Sequence, residues 1–399
     1  MKTVLSKAKV MMLITSCVLS LCACTSKESV NQGEWAVVAV KTGDLTVANL
    51  SLFGDEKVIP LSSLVEELQI LKLDDSDAAI VKNSPVVMSE NYVLVCCDND
   101  AKVPFKLFDR KSGKFISNIG GFGQGPNEYR AVFDMYLDEA NNRVYILPWQ
   151  TKKILVYDLK GANLEPVPLS FDMAKGKVNV DTKAGTAIVS IVPMGDVPAV
   201  VWKQDLKGNL IQSVAPGHLR LRPDFSNEVY QHVYGGNYDF YIWTFYPKVD
   251  SLYRYDVKNN KINPVFTLDY DGRTLTMHNY AELQNYFMGF FAELKRTGEI
   301  SQVVNNQRFY IIDKKTLKGT FFSLENDFLG GLPIDWLLEK FNGDYFAQNY
   351  DPGDLLDALT KVLETNLSLT DEVRAKITKL KDSIDPDDNN YILYARLKK

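Results

Sequence analysis

The stretch Tyr157-Asp158-Leu159-Lys160-Gly161 follows an apolar segment, and four variants of it occur elsewhere in the chain. Each places an aspartate directly after a strand-like segment and before a basic, turn-forming cluster. The other copies are centred on Asp109, Asp205, Asp256 and Asp313, so consecutive aspartates are 47 to 57 residues apart. Asp, Asn and Gly favour tight turns because they tolerate positive φ or hydrogen-bond the nearby backbone. The sequence therefore predicts a hairpin turn at the same place in five repeats.

A repeat of about 50 residues built from short strands is typical of a β-propeller, in which four-stranded blades surround a central channel. A sixth, degenerate unit is expected after about residue 334, opened by residues 336–349 and closed by residues 391–397. We therefore predict an all-β fold, a six-bladed β-propeller with short helical insertions, over residues 46–399. The competing interpretation is a pair of β-sandwich domains.

Two stretches depart from the strand pattern and predict helical insertions. One covers about residues 280–297, where five apolar residues recur at helical spacing: Leu283, Phe287, Phe290, Phe291 and Leu294. The other covers residues 351–383. It begins with Asp351 and Pro352, which suit an N-cap and the first helical position, and a further helix is expected after Thr370. We expect the second insertion to pack on the propeller rim, with a lid or partner-docking element as the alternative.

The N-terminus has the features of a bacterial lipoprotein signal. Three lysines precede an apolar run, residues 10–21, which ends in Leu21-Cys22-Ala23-Cys24. The run is shorter than the roughly 20 residues that a membrane-spanning helix needs. We therefore predict a signal peptide over residues 1–23, lipidation of Cys24 and a tether over residues 24–45. The lipid would hold the protein at the cell envelope, in the outer membrane, as its contact with the membrane.

The charge balance is mildly acidic. The formal net charge is -5, and residues 1–23 contribute three lysines and no acidic residue, so their removal would make the chain more negative. A balance of this sign and size gives no global attraction to nucleic acid or to anionic lipid. We therefore expect no nucleic-acid partner.

The segment Gly120-Gly121-Phe122-Gly123-Gln124-Gly125-Pro126 invites comparison with phosphate-binding loops. Such loops lead into a helix N-terminus, where free N–H groups receive the anion. Here the glycines precede a strand-like stretch, residues 131–138, and no Lys-Ser or Lys-Thr ends the motif. The pattern favours a glycine-dependent crossover from the last strand of one blade to the first strand of the next. Such a crossover would place Glu128, Tyr129 and Arg130 near the mouth of the channel.

The chain resembles the six-bladed β-propeller lipoproteins of Bacteroides-type bacteria, which are related in architecture to NHL-repeat propellers. The resemblance covers roughly residues 45–399 and rests on five segments: residues 58–61, 108–114, 123–129, 250–253 and 390–394. Asn127 stands where that family usually has glycine, and Asn390-Tyr391 stands where it usually has Asn-Pro. The resemblance implies the fold and the lipid anchor, and it implies no catalytic residues.

Aromatic residues are the other candidates for ligand contact. The run Tyr238 to Tyr246 is denser in aromatics than a strand needs, and we expect it to be buried between blades. The functional alternative is that Trp243 and Tyr246, together with Trp149 or Trp202, present rings at a blade end, where flat apolar faces stack on sugars or aromatic groups. Trp149 is the stronger candidate because it follows a strand pattern and precedes a turn.

No pattern in the sequence specifies a reaction. The three histidines are scattered without a second ligand at metal-binding spacing, and no Gly-x-Ser-x-Gly motif occurs. We therefore predict a propeller that binds a glycan, a peptide or an envelope protein at the channel mouth and has no catalytic residues, metal or cofactor. Two alternatives stay open. One is a lyase or lactonase-like enzyme with a divalent cation in the channel, and the other is an adaptor that docks a transporter or receptor.

Overall fold

The computed structural model describes residues 35–82, 84–96, 103–234, 236–244, 250–272, 277–296, 302–335 and 337–399. These residues form an all-β fold with two α-helices. Five short strands come first: β1 (Ala36–Val37), β2 (Ala39–Thr42), β3 (Leu45–Asn49), β4 (Lys57–Pro60) and β5 (Gln69–Lys72). The rest of the chain is organised into successive antiparallel sheets.

Three sheets contain only consecutive strands. Sheet 1 comprises β6 (Val86–Met88), β7 (Tyr92–Val95), β8 (Phe105–Asp109) and β9 (Phe115–Ile119). A parallel two-stranded pair follows, β10 (Gly121–Phe122) and β11 (Glu128–Tyr129). Sheet 2 comprises β12 (Val132–Asp138), β13 (Arg143–Pro148), β14 (Thr151–Tyr157) and β15 (Val167–Met173). Sheet 3 comprises β16 (Gly176–Asp181), β17 (Thr186–Ile191), β18 (Val201–Asp205) and β19 (Leu210–Val214).

Three later sheets also recruit strands from the N-terminal segment. Sheet 4 comprises β20 (Glu228–Tyr234), β21 (Asn237–Trp243), β22 (Ser251–Asp256) and β23 (Lys261–Asp269), extended by β3 and β2. Sheet 5 comprises β24 (Met277–Glu282), β25 (Tyr286–Arg296), β26 (Gln302–Asp313) and β27 (Lys318–Asn326), with β28 (Leu332–Pro333), β1 and β4 at its edge. Sheet 6 comprises β29 (Phe341–Asn342), β30 (Tyr345–Tyr350), β31 (Tyr391–Arg396) and β5.

Apolar packing joins each sheet to the next in a propeller-like arrangement. Trp202 of sheet 3, for example, is fully buried in a cluster that also holds Ile154 of sheet 2. Another cluster joins sheet 6 back to sheet 1, because Ile392 of β31 and Leu71 of β5 pack with Phe108 of β8. The C-terminal strand β31 pairs antiparallel with β5, so a strand from the N-terminal segment and the C-terminal strand lie side by side in one sheet.

The predicted turns lie where the repeat places them, between the third and fourth strands of sheets 1 to 5. Each aspartate accepts hydrogen bonds from backbone N–H groups two to four residues later. Asp158 Oδ1 accepts from Lys160 N at 2.9 Å, and Asp205 Oδ1 accepts from Lys207 N at 2.9 Å. The corresponding contacts are made by Asp109, Asp256 and Asp313. Sheet 6 has no such turn because its fourth strand, β5, comes from the other end of the chain.

The predicted helix at about residues 280–297 is wrong, because the described part of this stretch lies in strands β24 and β25. All residues from Tyr286 to Ala292 are buried. One face of β25 packs Phe287 and Phe291 toward sheet 4, and the other packs Met288 and Phe290 toward sheet 6. A strand that is buried on both faces is apolar at every position, so its spacing does not distinguish a strand from a helix.

The second insertion is helical, as predicted. Helix α1 (Pro352–Thr365) has Asp351 as its N-cap, and the Asp351 side chain accepts a hydrogen bond from Gly353 N. Helix α2 (Asp371–Asp382) has Thr370 as its N-cap. Leu355, Leu359 and Ile377 are fully buried in the core between sheets 5 and 6. The hairpin is therefore packed onto the sheets, in the connection between β30 and β31.

Within the described ranges, no helix is long and apolar enough to cross a membrane. The predicted signal peptide, Cys24 and residues 24–34 of the predicted tether lie outside the described residues, so these assignments stay predictions. Residues 35–45 were also predicted as tether, but they contain β1, β2 and the first residue of β3, which belong to sheets 5 and 4.

Candidate functional site

A cavity of about 430 Å³, called the axial cavity below, lies where the first strands of the six sheets meet. Its lining includes Val87 of β6, Asp134 and Tyr136 of β12, Lys177 of β16, Gln231 of β20, Asn279 of β24 and Asn342 of β29. A cavity of this size at the meeting point of several elements is the usual form of a small-ligand site. The axial cavity is therefore the candidate site that the fold itself builds.

Asp134 and Lys177 form a charged pair in the wall of the axial cavity. Lys177 Nζ lies 3.6 Å from Asp134 Oδ1 and donates a hydrogen bond to Phe133 O. Asp134 Oδ2 accepts from Val178 N at 2.6 Å, which links β12 to β16. Burial raises the pKa of Asp134, and the Lys177 ammonium opposes that shift. The pair thus holds a carboxyl of increased basicity at the cavity surface.

Tyr230 and His232 form an aromatic wall on β20. Both rings stack on Tyr241 of β21, with centroids 5.1 Å and 6.1 Å from it and interplanar angles of 13°. Burial raises the pKa of Tyr230 to about 12 and lowers that of His232 to about 4. Both side chains are therefore neutral near pH 7, and Tyr230 offers an aromatic face with a hydroxyl.

Two amide oxygens in the lining have no protein hydrogen-bond partner. Gln231 Oε1 and Asn279 Oδ1 are both buried, and neither accepts a hydrogen bond from any described residue. An unpaired buried acceptor costs about 1–3 kcal/mol. Such groups at a cavity surface are suited to accept hydrogen bonds from a ligand that carries O–H or N–H groups.

A second cavity of about 570 Å³ shares Asn179 and Glu282 with the axial cavity. Glu282 lines both cavities and forms ion pairs with Arg254 and with Lys314, whose Nζ lies 2.5 Å from Glu282 Oε1. Arg254 also binds Asp239 through two hydrogen bonds of 2.8 and 2.7 Å. Burial, with a smaller contribution from the Glu282 carboxylate, raises the pKa of Asp239 to about 7 against the effect of Arg254. This network fixes Glu282 in place.

The predicted crossover at residues 120–130 connects β9 of sheet 1 to β12 of sheet 2, as expected. Its three candidate contact residues differ in exposure to solvent. Tyr129 is buried, and its hydroxyl accepts from Phe105 N at 2.8 Å and donates to Ile119 O. Glu128 is exposed, and its carboxylate accepts from Gly125 N at 2.9 Å. Tyr129 therefore belongs to the core, which corrects its prediction as a ligand contact, whereas the exposed Arg130 stays available.

Trp149 lies beside Ala131, the residue that follows Arg130, because Trp149 N donates to Ala131 O at 2.9 Å. Its side chain is 45% exposed and meets Phe225, which is 55% exposed, edge to face with centroids 6.3 Å apart. Sequence analysis missed Phe225 because an isolated loop phenylalanine gives no periodic signal. It likewise missed Tyr230, Gln231 and Asn279, whose strands are recognisable but whose place on the channel depends on the assembled ring.

The structure does not place the other described aromatic candidate, Trp243, on the surface formed by Trp149 and Phe225. Trp243 ends β21 and is half-buried against the core between sheets 4 and 5. The rest of the predicted buried strand behaves as expected, with Phe240 and Ile242 on one face and Tyr241 on the other. Tyr246 lies outside the described residues, so its prediction is untested. In the part of the chain that the structure describes, no group of three or more His, Cys, Asp or Glu residues could hold a metal ion.

A family model described as a domain of unknown function (DUF4934) matches residues 45–396. The chain belongs to the DUF4934 family. The match covers strands β3 to β31 and the helical hairpin, and leaves out β1 and β2. No curated protein matches the sequence significantly.

Two crystal structures of Bacteroides proteins are similar to this DUF4934 chain. A Bacteroides fragilis protein described as exported has a TM-score of 0.57 and 18% sequence identity, with 88% of this chain and 100% of that chain covered. A duf4221 family member from Bacteroides vulgatus has a TM-score of 0.43 and 12% identity, with 84% of this chain and 98% of that chain covered. The first comparison shows a shared fold.

Proposed function

We propose that this DUF4934 protein is an envelope-anchored binding protein whose six sheets are the blades of a closed six-bladed propeller. The pairing of β31 with β5 supports closure, as does the apolar cluster between sheet 6 and sheet 1. The lipoprotein-like N-terminus supports attachment through Cys24. The shared fold with a Bacteroides fragilis protein described as exported supports a location at the cell envelope.

The axial cavity carries the binding proposal. It combines the aromatic face of Tyr230, a charged pair, and the two unpaired amide oxygens of Gln231 and Asn279. Natural proteins keep such unsatisfied groups mainly where function needs them. The ligand is a glycan, a peptide or a segment of an envelope protein that supplies hydrogen-bond donors. No catalytic role is assigned to any residue.

Replacement of each amide by leucine separates binding from folding. We screen the purified protein against a glycan array and a peptide library, then measure the affinity of Gln231→Leu and Asn279→Leu for the best ligand. Each variant should bind about tenfold more weakly, the value of one hydrogen bond. Its stability should be unchanged or higher, because an unpaired buried acceptor has been removed.

Gln69→Leu is the matched control, since Gln69 is exposed on the outer strand β5 and should not affect binding. Unchanged affinity in both cavity variants would contradict a ligand in the axial cavity.

A further inference from the structure

The N-terminal strands carry a concentration of exposed apolar side chains. We call residues 36–60, which contain β1 to β4, the strap. Among the described residues, eleven large apolar side chains are exposed, and four of them lie in the strap: Val37, Val40, Leu52 and Val58. Single exposed apolar residues are ordinary, whereas a group of them suggests a surface that contacts a partner.

Val37 and Val58 lie on the outer edge of sheet 5. Both β1 and β4 pair with β27, on the side of β27 that faces away from β26. Val37 lies opposite Lys318 and Val58 lies opposite Ser323, so the two valines are five residues apart along that edge. Five residues of a strand span about 17 Å. The two valines therefore belong to one side of the molecule.

Val40 and Leu52 lie on the adjoining edge of sheet 4. Val40 is in β2, the outermost strand of that sheet, and Leu52 comes three residues after the end of β3. The two edges meet at Val38, whose N–H donates to Leu317 O at 3.0 Å and whose carbonyl accepts from Asn49 N at 2.8 Å. All four exposed side chains of the strap thus lie on one stretch of the periphery of the ring.

Charge does not distinguish this surface. The strap contains two lysines and three acidic residues, so its formal charge is -1: Lys41, Lys57, Asp44, Asp55 and Glu56. A nearly balanced charge gives no strong attraction for a charged partner. What the strap offers to a partner is aliphatic contact area.

The proposed lipid site is close to the strap along the chain. Residues 25–34 separate Cys24 from Trp35, which is buried in the core between sheets 5 and 6. Even fully extended, a chain of this length spans at most about 40 Å. A compact domain of the size of residues 35–399 is about 50 Å across. A protein anchored at Cys24 therefore cannot turn its strap side fully away from the bilayer.

We propose that the strap lies against the lipid surface of the bilayer, with Val37, Val40, Leu52 and Val58 at the interface. The proposal rests on the proposed anchoring through Cys24 and adds to it the side of the protein that meets the membrane. The acyl chains supply the affinity, and the aliphatic side chains set the orientation because their burial in the interface is favourable. Since the strap is on the periphery of the ring, this orientation leaves the ends of the axial cavity facing away from the bilayer.

A fluorescent label at a single position tests this orientation. Val40→Cys is labelled with bimane in the full-length lipidated protein, which also carries Cys97→Ser, whereas Cys96 is buried. Ile116→Cys is the matched control, because Ile116 is also exposed on an outer strand, β9, but belongs to sheet 1 across the ring. In phosphatidylcholine liposomes, brominated lipid should quench most of the fluorescence at position 40 and leave that at position 116 unchanged. High salt should not change the quenching, because the contact is apolar.

Charged substitutions in the strap separate this contact from the lipid anchor. Val37→Asp together with Val58→Asp should restore the fluorescence of the label at position 40, because a carboxylate opposes burial in the interface. Leu210→Asp together with Ile211→Asp is the matched control on the outer strand of sheet 3 and should leave the label quenched. Both double variants should still float with the liposomes in a density gradient, since each retains the lipid on Cys24.

Equal quenching at positions 40 and 116, or no quenching at position 40 in protein that floats with the liposomes, would overturn the proposal and leave the anchoring in place. Quenching that persists with Val37→Asp and Val58→Asp would contradict a contact made by these side chains. If the lipidated protein does not float with the liposomes, the anchoring and the strap contact are both wrong. Ligand binding in the axial cavity is measured separately and is unaffected by these outcomes.

Discussion

At the residue scale, His232 links the axial cavity to the pH dependence of stability. Burial lowers its pKa to about 4, against about 6.5 in an unfolded chain. Between these values the folded protein binds fewer protons than the unfolded one, so the His232 contribution to stability is lost as pH falls from about 6.5 to 4. Asp239 acts in the opposite direction, since its pKa is raised to about 7 and its contribution is lost as pH rises from about 4 to 7.

The two effects overlap, so a variant must separate them. Relative to wild type, His232→Gln should gain up to about 3 kcal/mol as pH falls from 6.5 to 4. Urea unfolding at several pH values in this range measures the difference. His278→Gln should behave in the same way, because burial also lowers the pKa of His278 to about 4. A stability difference that stays constant with pH would show that His232 is not buried as described.

Gly120 supports the crossover that carries Arg130. Its φ is +69°, and a Cβ at this position would lie 2.6 Å from the ring of Tyr157, whose hydroxyl donates to Asn127 O at 3.0 Å. Gly185 has a similar φ of +66°, and a Cβ at this position would have no atom within 4 Å. Gly185→Ala therefore measures only the cost of placing alanine at positive φ. We expect a loss of about 1 kcal/mol for Gly185→Ala and at least about 2 kcal/mol for Gly120→Ala in urea unfolding. Equal losses would contradict the close contact with Tyr157.

At the element scale, turns and helix caps were predictable from the sequence, whereas a strand that is buried on both faces was not. The turn aspartates and the caps Asp351 and Thr370 act on neighbouring backbone, so the sequence alone identifies them. Strand β25 and Tyr129 depend on the sheets that pack against them. The axial cavity was not predictable from the sequence. Each first strand contributes only one to four residues to its lining, and these residues form no short sequence motif.

The helical hairpin should contribute to stability through its buried face. Leu359 of α1 is fully buried between sheets 5 and 6, whereas Leu367, in the loop between the helices, is 88% exposed. Leu359→Ala should therefore destabilise the protein by about 2–5 kcal/mol, and Leu367→Ala by no more than about 0.5 kcal/mol. Thermal or urea unfolding measures both. Similar small losses would indicate that the hairpin is a detachable element, as a lid would be.

At the scale of the whole molecule, attachment and binding are separate properties. Cys24 is the proposed lipid site, and the bilayer affinity of a lipoprotein comes from its acyl chains, about 0.8 kcal/mol for each buried CH₂. Cys24→Ser should therefore move the protein from the membrane fraction to the soluble fraction and leave its melting temperature unchanged. Fractionation after a high-salt wash measures this. A variant that stays in the membrane fraction would contradict anchoring through Cys24.

The central claim is that the ring of sheets encloses a binding site. The most direct measurement is a crystal structure of the protein with the best ligand from the glycan and peptide screens. The account predicts ligand density in the axial cavity, with donors of the ligand within hydrogen-bond distance of Gln231 Oε1 or Asn279 Oδ1. Ligand density on the outer strands, with the axial cavity filled only by water, would contradict it.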